Sequence, residues 1–449
     1  NANSFVMNAG TISGNTSKDY NIICYTGLVK HAGIIKNNYQ GFLIYTTLTI
    51  EGDGSNISDR IVLNNANARI LRDAKHANTS IIYHNIYNTN TLKAGTIVAV
   101  GINGYQLTSN DLNHYIYNNQ KTSWKLSLSG NTIILGELSL KTPDNIQDWL
   151  DSLAQNINNY PENESKGSIE VPCSEKSIEF GCAKTIKVPT KLNVRFVDVN
   201  FIRKDDGAGL AKRIIDIPST STVELSNMTI DGSNLKGDEP LLVVDGTLKV
   251  DSGSVIKGGY NTSNNNGPGI YAGSTGKIEI TGGEISGNTG NEGGAVVNLG
   301  TFTMSGGTIS GNSSTANVAN GNNSTFIMTG GSIKNNKASG YCGGVYFGEN
   351  VDATLSGGEI SGNDFSDVYS WSNLKLSGAM KLSIMALVNP AKILVTSALK
   401  NNFKLHLLGD NLTSGSVFAQ GTNGYTLTAQ DIAKLTPGNS NNTFSLSNG

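Results

Sequence analysis

The sequence predicts an all-β chain: a right-handed parallel β-helix with rungs of about 24 residues, joined to a short capping helix and small β-rich closing modules. Three observations predict it. A glycine pair, an isoleucine and an asparagine recur at fixed spacing; apolar residues between them alternate with polar ones; and a 21-residue segment returns 320 residues later.

The recurrence is clearest from Gly276 onward, where GKIEITGGEISGN, GTFTMSGGTISGN, STFIMTGGSIKNN and DATLSGGEISGN follow one another. The second glycine of each pair is Gly283, Gly307, Gly331 and Gly358, in steps of 24, 24 and 27 residues. Before each pair stand Ile278 and Ile280, Phe302 and Met304, Phe326 and Met328, Ala353 and Leu355. This spacing of two is that of a strand with one buried face. An isoleucine follows at Ile285, Ile309, Ile333 and Ile360, and three residues on an asparagine at Asn288, Asn312, Asn336 and Asn363. The registry predicts that residues one rung apart lie on top of each other, their strands paired in parallel at about 4.8 Å. Isoleucine then stacks on isoleucine, and each buried Asn amide is satisfied by the Asn above and below it. Glycine pairs suit the corner that a β-carbon would obstruct.

Weaker rungs extend the coil. TVELSNMTIDGSN supplies Val223, Leu225 and Ile230, and TLKVDSGSVIKGG supplies Leu248, Val250 and Val255. At the start of the chain, Phe5, Met7, Ile12 and Asn15 fill the same slots, with Gly33, Ile35 and Asn38 one rung later. A further strand per rung reads GPGIY at 267–271, GGAVV at 293–297 and GGVYF at 343–347.

Above this short period lies a longer one. TLKAGTIVAVGINGYQLTSND at 91–111 returns as NLTSGSVFAQGTNGYTLTAQD at 411–431, identical at 10 of 21 positions, and ANARIL at 66–71 has its counterpart in NPAKIL at 389–394. LTSNDL at 107–112 and LTAQDI at 427–432 have capping-box spacing with Asp in place of Glu. Between the copies, TPDNIQDWLDSLAQNIN at 142–158 predicts a helix. Thr142 caps it, Pro143 suits its first turn, and Ile146, Trp149, Leu150, Leu153 and Ile157 form one apolar stripe. The expected organisation is the end of a first β-helix at 1–50, a closing module at 51–141, a helix-bearing cap at 142–195, a second β-helix at 196–380 and a second closing module at 381–449. This is about one and a half copies of a 320-residue unit, as in a fragment of a tandem array.

Composition narrows the function. Thirty-three Lys and Arg against 35 Asp and Glu give a net charge of −2, with no basic stripe for phosphates, so nucleic acid is not expected as a partner. No run of eighteen apolar residues predicts a membrane-spanning helix. The four cysteines, Cys24, Cys173, Cys182 and Cys342, include no CxxC pair; Cys173 and Cys182 are read either as a short disulfide loop or as two separate buried thiols. No HExxH, DxDxDG, P-loop, GxSxG or dinucleotide fingerprint occurs, and no metal, cofactor or catalytic residue is assigned.

β-Helices also serve glycan-cleaving enzymes, whose chemistry needs clustered carboxylates. In the regular rungs Glu279, Glu284, Glu292, Glu349, Asp352 and Glu359 do not cluster, and Glu284 shares its slot with Thr308, Ser332 and Glu359. Asp205 and Asp206, followed by Gly207, are the best acidic pair, read chiefly as a turn. Tyr271, Tyr346 and Tyr369 recur at related slots, with Tyr341 and Trp371 nearby. Exposed, they would stack on sugars; the preferred reading is core packing, because Val296 holds the slot in another rung.

The GGTISGN rungs with GGAVV and GGVYF resemble the repetitive β-helix surface proteins (adhesin-like) of host-associated anaerobic bacteria, and more loosely polymorphic outer-membrane protein repeats. The resemblance is clearest over 253–363 and 1–38 and carries over no catalytic residue. It implies an extracellular or cell-surface bacterial protein, not an enzyme, acting as stalk, adhesin or filament subunit. Its partners would be copies of itself joined end to end, or host or matrix surface glycans. A polysaccharide lyase or glycoside hydrolase and a passive glycan-binding module are the alternatives.

Overall fold

In strand Lys277–Ile280 the residues are exposed, buried, half-buried and buried in turn, so Ile278 and Ile280 point inward and Lys277 and Glu279 outward. This alternation, repeated rung after rung, builds the fold in the computed structural model of the chain. The structure describes residues 175–261, 267–388, 390–400, 403–408, 416–438 and 443–446. Before these it describes 5–7, 11–13, 22–24, 28–36, 42–44, 47–57, 60–63, 69–73, 82–84, 97–102, 106–107, 115–117, 126–135, 140–157, 169–171 and 173. Two compact units result: residues 1–140 with 148–174, and 141–147 with 175–449.

The second unit is a parallel β-helix with three faces. The first face runs from Asn193–Val197 to Ala419–Gly421, the second from Ser177–Gly181 to Lys381–Leu382 as nine strands, and the third from Ile186–Lys187 to Leu435–Pro437. The predicted columns form as registered pairs. Ile278, Phe302, Phe326 and Ala353 stack in order on the first face, as do Ile280, Met304, Met328 and Leu355. Ile285, Ile309, Ile333 and Ile360 stack on the second. All are buried, and the Phe302 and Phe326 rings lie parallel within 3° at 5.0 Å. Strands of residues 381–449, among them Ile393–Val395, Leu405–Leu408 and Leu435–Pro437, extend the same faces. One slot differs from the sequence reading. Ile256, not Val255, pairs with Ile230 and is buried, leaving Val255 half-buried in the outward position.

The corners follow the same logic. The second glycine of each pair has positive φ, and a β-carbon on Gly307 would come within 2.5 Å of the Gly282 carbonyl oxygen. At the next corner the asparagines form a directed chain. The backbone N–H and side-chain amide of Asn288 both donate to Oδ1 of Asn312, which does the same to Asn336, and Asn336 to Asn363. Asn363 closes the chain by donating both groups to Oδ1 of Asp367, whose Oδ2 accepts from the Ile384 N–H of the following rung.

At the start of this coil the side chain of Gln147 acts as a strand. Its amide donates to the Lys187 carbonyl and accepts from the Lys187 N–H, at 2.9 and 2.7 Å, covering the edge of the first strand of the third face. Gln147 stands in helix Pro143–Ile157, which is capped by Thr142 accepting from the Asn145 N–H and buries Ile146, Trp149 and Leu150. The side chains of Leu153 and Ile157 lie outside the described residues.

The first unit also pairs its strands in parallel. Phe5–Met7 and Thr11–Ser13 both lie against Leu28–Lys36, and Ile12 meets Ile35 as the repeat requires; Asn15 and Asn38 lie outside the described residues. Its course through Thr47–Ile57, Arg69–Asp73 and Ile97–Ile102 ends differently: strand Thr132–Leu135 joins antiparallel, folded back through Gly130 onto Leu126–Ser129. The 320-residue repeat is a structural repeat as well. Ala99 and Val100 face Ile70 and Leu71, and their counterparts Ala419 and Gln420 face Ile393 and Leu394.

Candidate functional site

The most distinctive outer surface comes from a rung that is longer than the 24-residue step before it. Ser313 pairs with Lys337 and Ser314 with Ala338, but Ala316 pairs with Cys342 and Val318 with Val345, so strand Lys337–Phe347 takes up three extra residues between Ala338 and Val345. The resulting bulge carries Tyr341 to the surface, where it is 54% exposed. There it meets Tyr346 and Tyr369, which pair in register on the outward side of the third face. The ring centroids are 5.2 Å apart for Tyr341 and Tyr369, 5.5 Å for Tyr341 and Tyr346, and 5.9 Å for Tyr346 and Tyr369, the last two rings being parallel within 13°.

This arrangement overturns the reading of Tyr346 and Tyr369 as core. Both alternate with buried neighbours, Val345 and Phe347, Val368 and Ser370, and both are half-buried on the outer surface. Tyr271 lies three rungs earlier in the same column, separated from Tyr346 by Val297 and Ala319; the residue in its slot is therefore Val297, while Val296 points inward opposite Ile270. Trp371, 41% exposed, follows two residues after Tyr369. Ala319 before Tyr346 and Ala386 after Tyr369 flank the pair with small side chains. Partial burial, the other two phenols and the Glu292 carboxylate raise the pKa of Tyr346, and burial with Tyr341 raises that of Tyr369, so both hydroxyls stay protonated donors at neutral pH.

The acidic pair is a turn. Asp205 accepts from the Gly207 N–H, and Asp206 accepts from the N–H groups of Ala208 and Cys182, backbone bonds that hold its pKa below the usual carboxylate range. One ligand atom each from Cys182, Asp205 and Asp206 falls within 4.8 Å. Beside them Arg203 is buried, its guanidinium donating to the carbonyls of Gly181, Lys184 and Lys212. Burial lowers its pKa to about 10, against the attraction of Cys182 and Asp206, and its fixed positive charge opposes a cation at this corner. Three of the acids in the regular rungs serve the outer ladder: Glu279 reaches Lys249, Asp352 reaches Lys375 and Glu359 reaches Lys381.

Cys173, Cys182 and Cys342 are free thiols, and burial drives Cys173 up to about 12 and Cys342 higher still, which keeps both protonated and unreactive. Cys24 lies in strand Ile22–Cys24. Among the described residues no helix is long and apolar enough to cross a membrane. The tyrosine cluster had a sequence signal, the 27-residue step into Gly358, but only registry placed the extra residues at Tyr341. No family model, curated protein or solved structure matches this chain.

Proposed function

We propose that the chain is an extracellular structural repeat protein of a bacterial surface, serving as stalk and adhesive face rather than as a catalyst. The observation that supports this reading is the continuous rung-on-rung registry of the first and second faces of the second unit. Nine strands of its second face, one per turn, give about 40 Å of coil at the usual strand spacing. Inside, stacked Ile, Phe and Met fill the shaft; outside, in-register charges alternate, as in Arg195, Glu224, Lys249 and Glu279. Such a scaffold holds side chains at fixed spacing over a long flat face, which suits extended contact better than chemistry at one point.

Two partners suit such a scaffold: surface glycans along its outer faces and copies of the chain joined end to end. Antibody labelling of intact and permeabilised producing cells tests the display. Labelling of intact cells is expected; labelling only after permeabilisation would end this reading.

A further inference from the structure

We propose that the outer face around Tyr346 is a binding site for a neutral pyranose of a glycan chain, with one ring face of Tyr346 as the stacking platform. The inference goes beyond surface display and does not require it.

The geometry leads there in three steps. First, Tyr346 has Tyr369 on one side and, in register on the other, only the methyl group of Ala319. A flat ring standing beside a methyl leaves a shelf, floored by a half-buried alanine, on which a second ring of similar size can lie. Second, the face carries negative charge nearby, since Glu292 is among the groups whose charge raises the pKa of Tyr346. An apolar ring face with phenol hydroxyls beside it matches a pyranose, which presents C–H groups on its faces and hydroxyls around its edge. Third, the alternatives fit less well. A quaternary ammonium needs space between aromatic rings, and these three rings close on one another at 5.2–5.9 Å. An acidic sugar would bring a second negative charge into the field of Glu292. The bulge that lifts Tyr341 out of the strand adds a third phenol beside the pair, 54% exposed.

Affinity gel electrophoresis of the whole chain tests this with soluble mannan, β-glucan, galactan and chitosan-free chitin oligosaccharide gels, beside polygalacturonate and a choline-bearing matrix. At least one neutral gel is expected to retard the protein. Tyr346→Ala is expected to weaken that retardation tenfold or more. Ala319→Phe, an outward substitution that fills the shelf without removing a ring, is expected to do the same, and Tyr271→Ala, three rungs away, to leave it unchanged. Retardation by none of the neutral gels overturns the proposal, as does retention of full binding in Ala319→Phe. So does preference for polygalacturonate, or for choline, which would mean that Glu292 and the rings read a cation. Cell-surface labelling with no neutral-glycan binding would sink this inference and spare the proposed function; glycan binding without surface labelling would do the reverse.

Discussion

The regular rungs between Ile278 and Asn363 and the rungs that flank them meet the same demand in opposite ways. In the regular part, the buried corner is closed by neutral amides, each Asn satisfied by the next. Where the repeat begins or fails, a buried ion does the work. Among the described residues the buried charged side chains are Arg203, Asp367 and Asp431. Arg203 gathers three carbonyls near the start of the coil. Asp367 takes the donors left over when the asparagine column stops. Asp431 accepts from the N–H groups of Leu399 and Thr428 and from the hydroxyls of Thr428 and Tyr425 where the last rungs close. A self-similar stack supplies a donor for every acceptor from its own next copy; at a break no copy follows, and a full charge is the side-chain group able to hold several orphaned partners at once.

The comparison breaks most sharply at Asn312. In Asn312→Asp the amide that donates to Asn336 Oδ1, the Ile285 carbonyl and the Ser310 carbonyl becomes an oxygen facing three acceptors. A loss of about 4 kcal/mol at pH 7 is expected in urea unfolding. Because burial raises the pKa of the new acid in the folded state, part of that loss should return as pH falls toward 5, when a proton restores one donor. A loss under about 1 kcal/mol would mean that the amide chain is not what holds this corner.

Asp431 gives the next largest effect. Burial would raise its pKa, but the donors from Tyr425, Thr428 and Leu399 outweigh burial and hold it at about 2. A depressed carboxylate stabilises the fold above its unfolded pKa near 4 and loses that contribution as pH falls through about 2. The window therefore lies between roughly pH 4 and pH 2, and about 2 kcal/mol is at stake. Urea midpoints across that range should fall further in the native chain than in Asp431→Asn, which starts from a lower level. Asp367 behaves in the opposite sense: burial raises its pKa in spite of bonds from Asn363 and Ile384. A raised carboxylate is held charged at a cost, so Asp367→Asn, which keeps the acceptor for Asn363 but turns a donor toward Ile384, should lose only about 1 kcal/mol. Equal losses for Asn312→Asp and Asp367→Asn would erase the distinction between neutral middle and charged ends.

The sequence carried the middle of the coil almost completely and the ends hardly at all, for a physical reason. Where like stacks on like, the registry of Ile285, Ile309 and Ile333 is written as a period, and the asparagine column can be read from Asn288 to Asn363. Asp367 and Arg203 have no period, since each answers a single local shortage of partners, and nothing in RKDDGAG separates the buried Arg203 from the exposed acids after it. The slip from Ile256 to Val255 has a related origin: SGSVIKGG offers two adjacent β-branched residues, and only pairing with Ile230 decides which turns inward. The tyrosines were visible as a column, but their side of the sheet was not. A tyrosine satisfies an inward or an outward slot equally well, and it was the alternation with Val345 and Phe347 that resolved it.

The smallest expected effect tests whether the outer slots are as indifferent as the inner ones are strict. Thr308 lies in register between Glu284 and Ser332, half-buried, on a face where neighbouring rungs carry unlike residues. In Thr308→Glu a carboxylate sits directly over Glu284, and in Thr308→Lys an ammonium does. Cross-strand charges on an open face are worth a few tenths of a kcal/mol, so the two variants should bracket the native chain and differ from each other by about 0.5 kcal/mol. Salt at 1 M shortens the screening length to about 3 Å and should close that gap. A difference of 2 kcal/mol or more, or one that survives the salt, would mean that position 308 is packed rather than solvated, and the division between a strict interior and a permissive face would have to be redrawn one column further out.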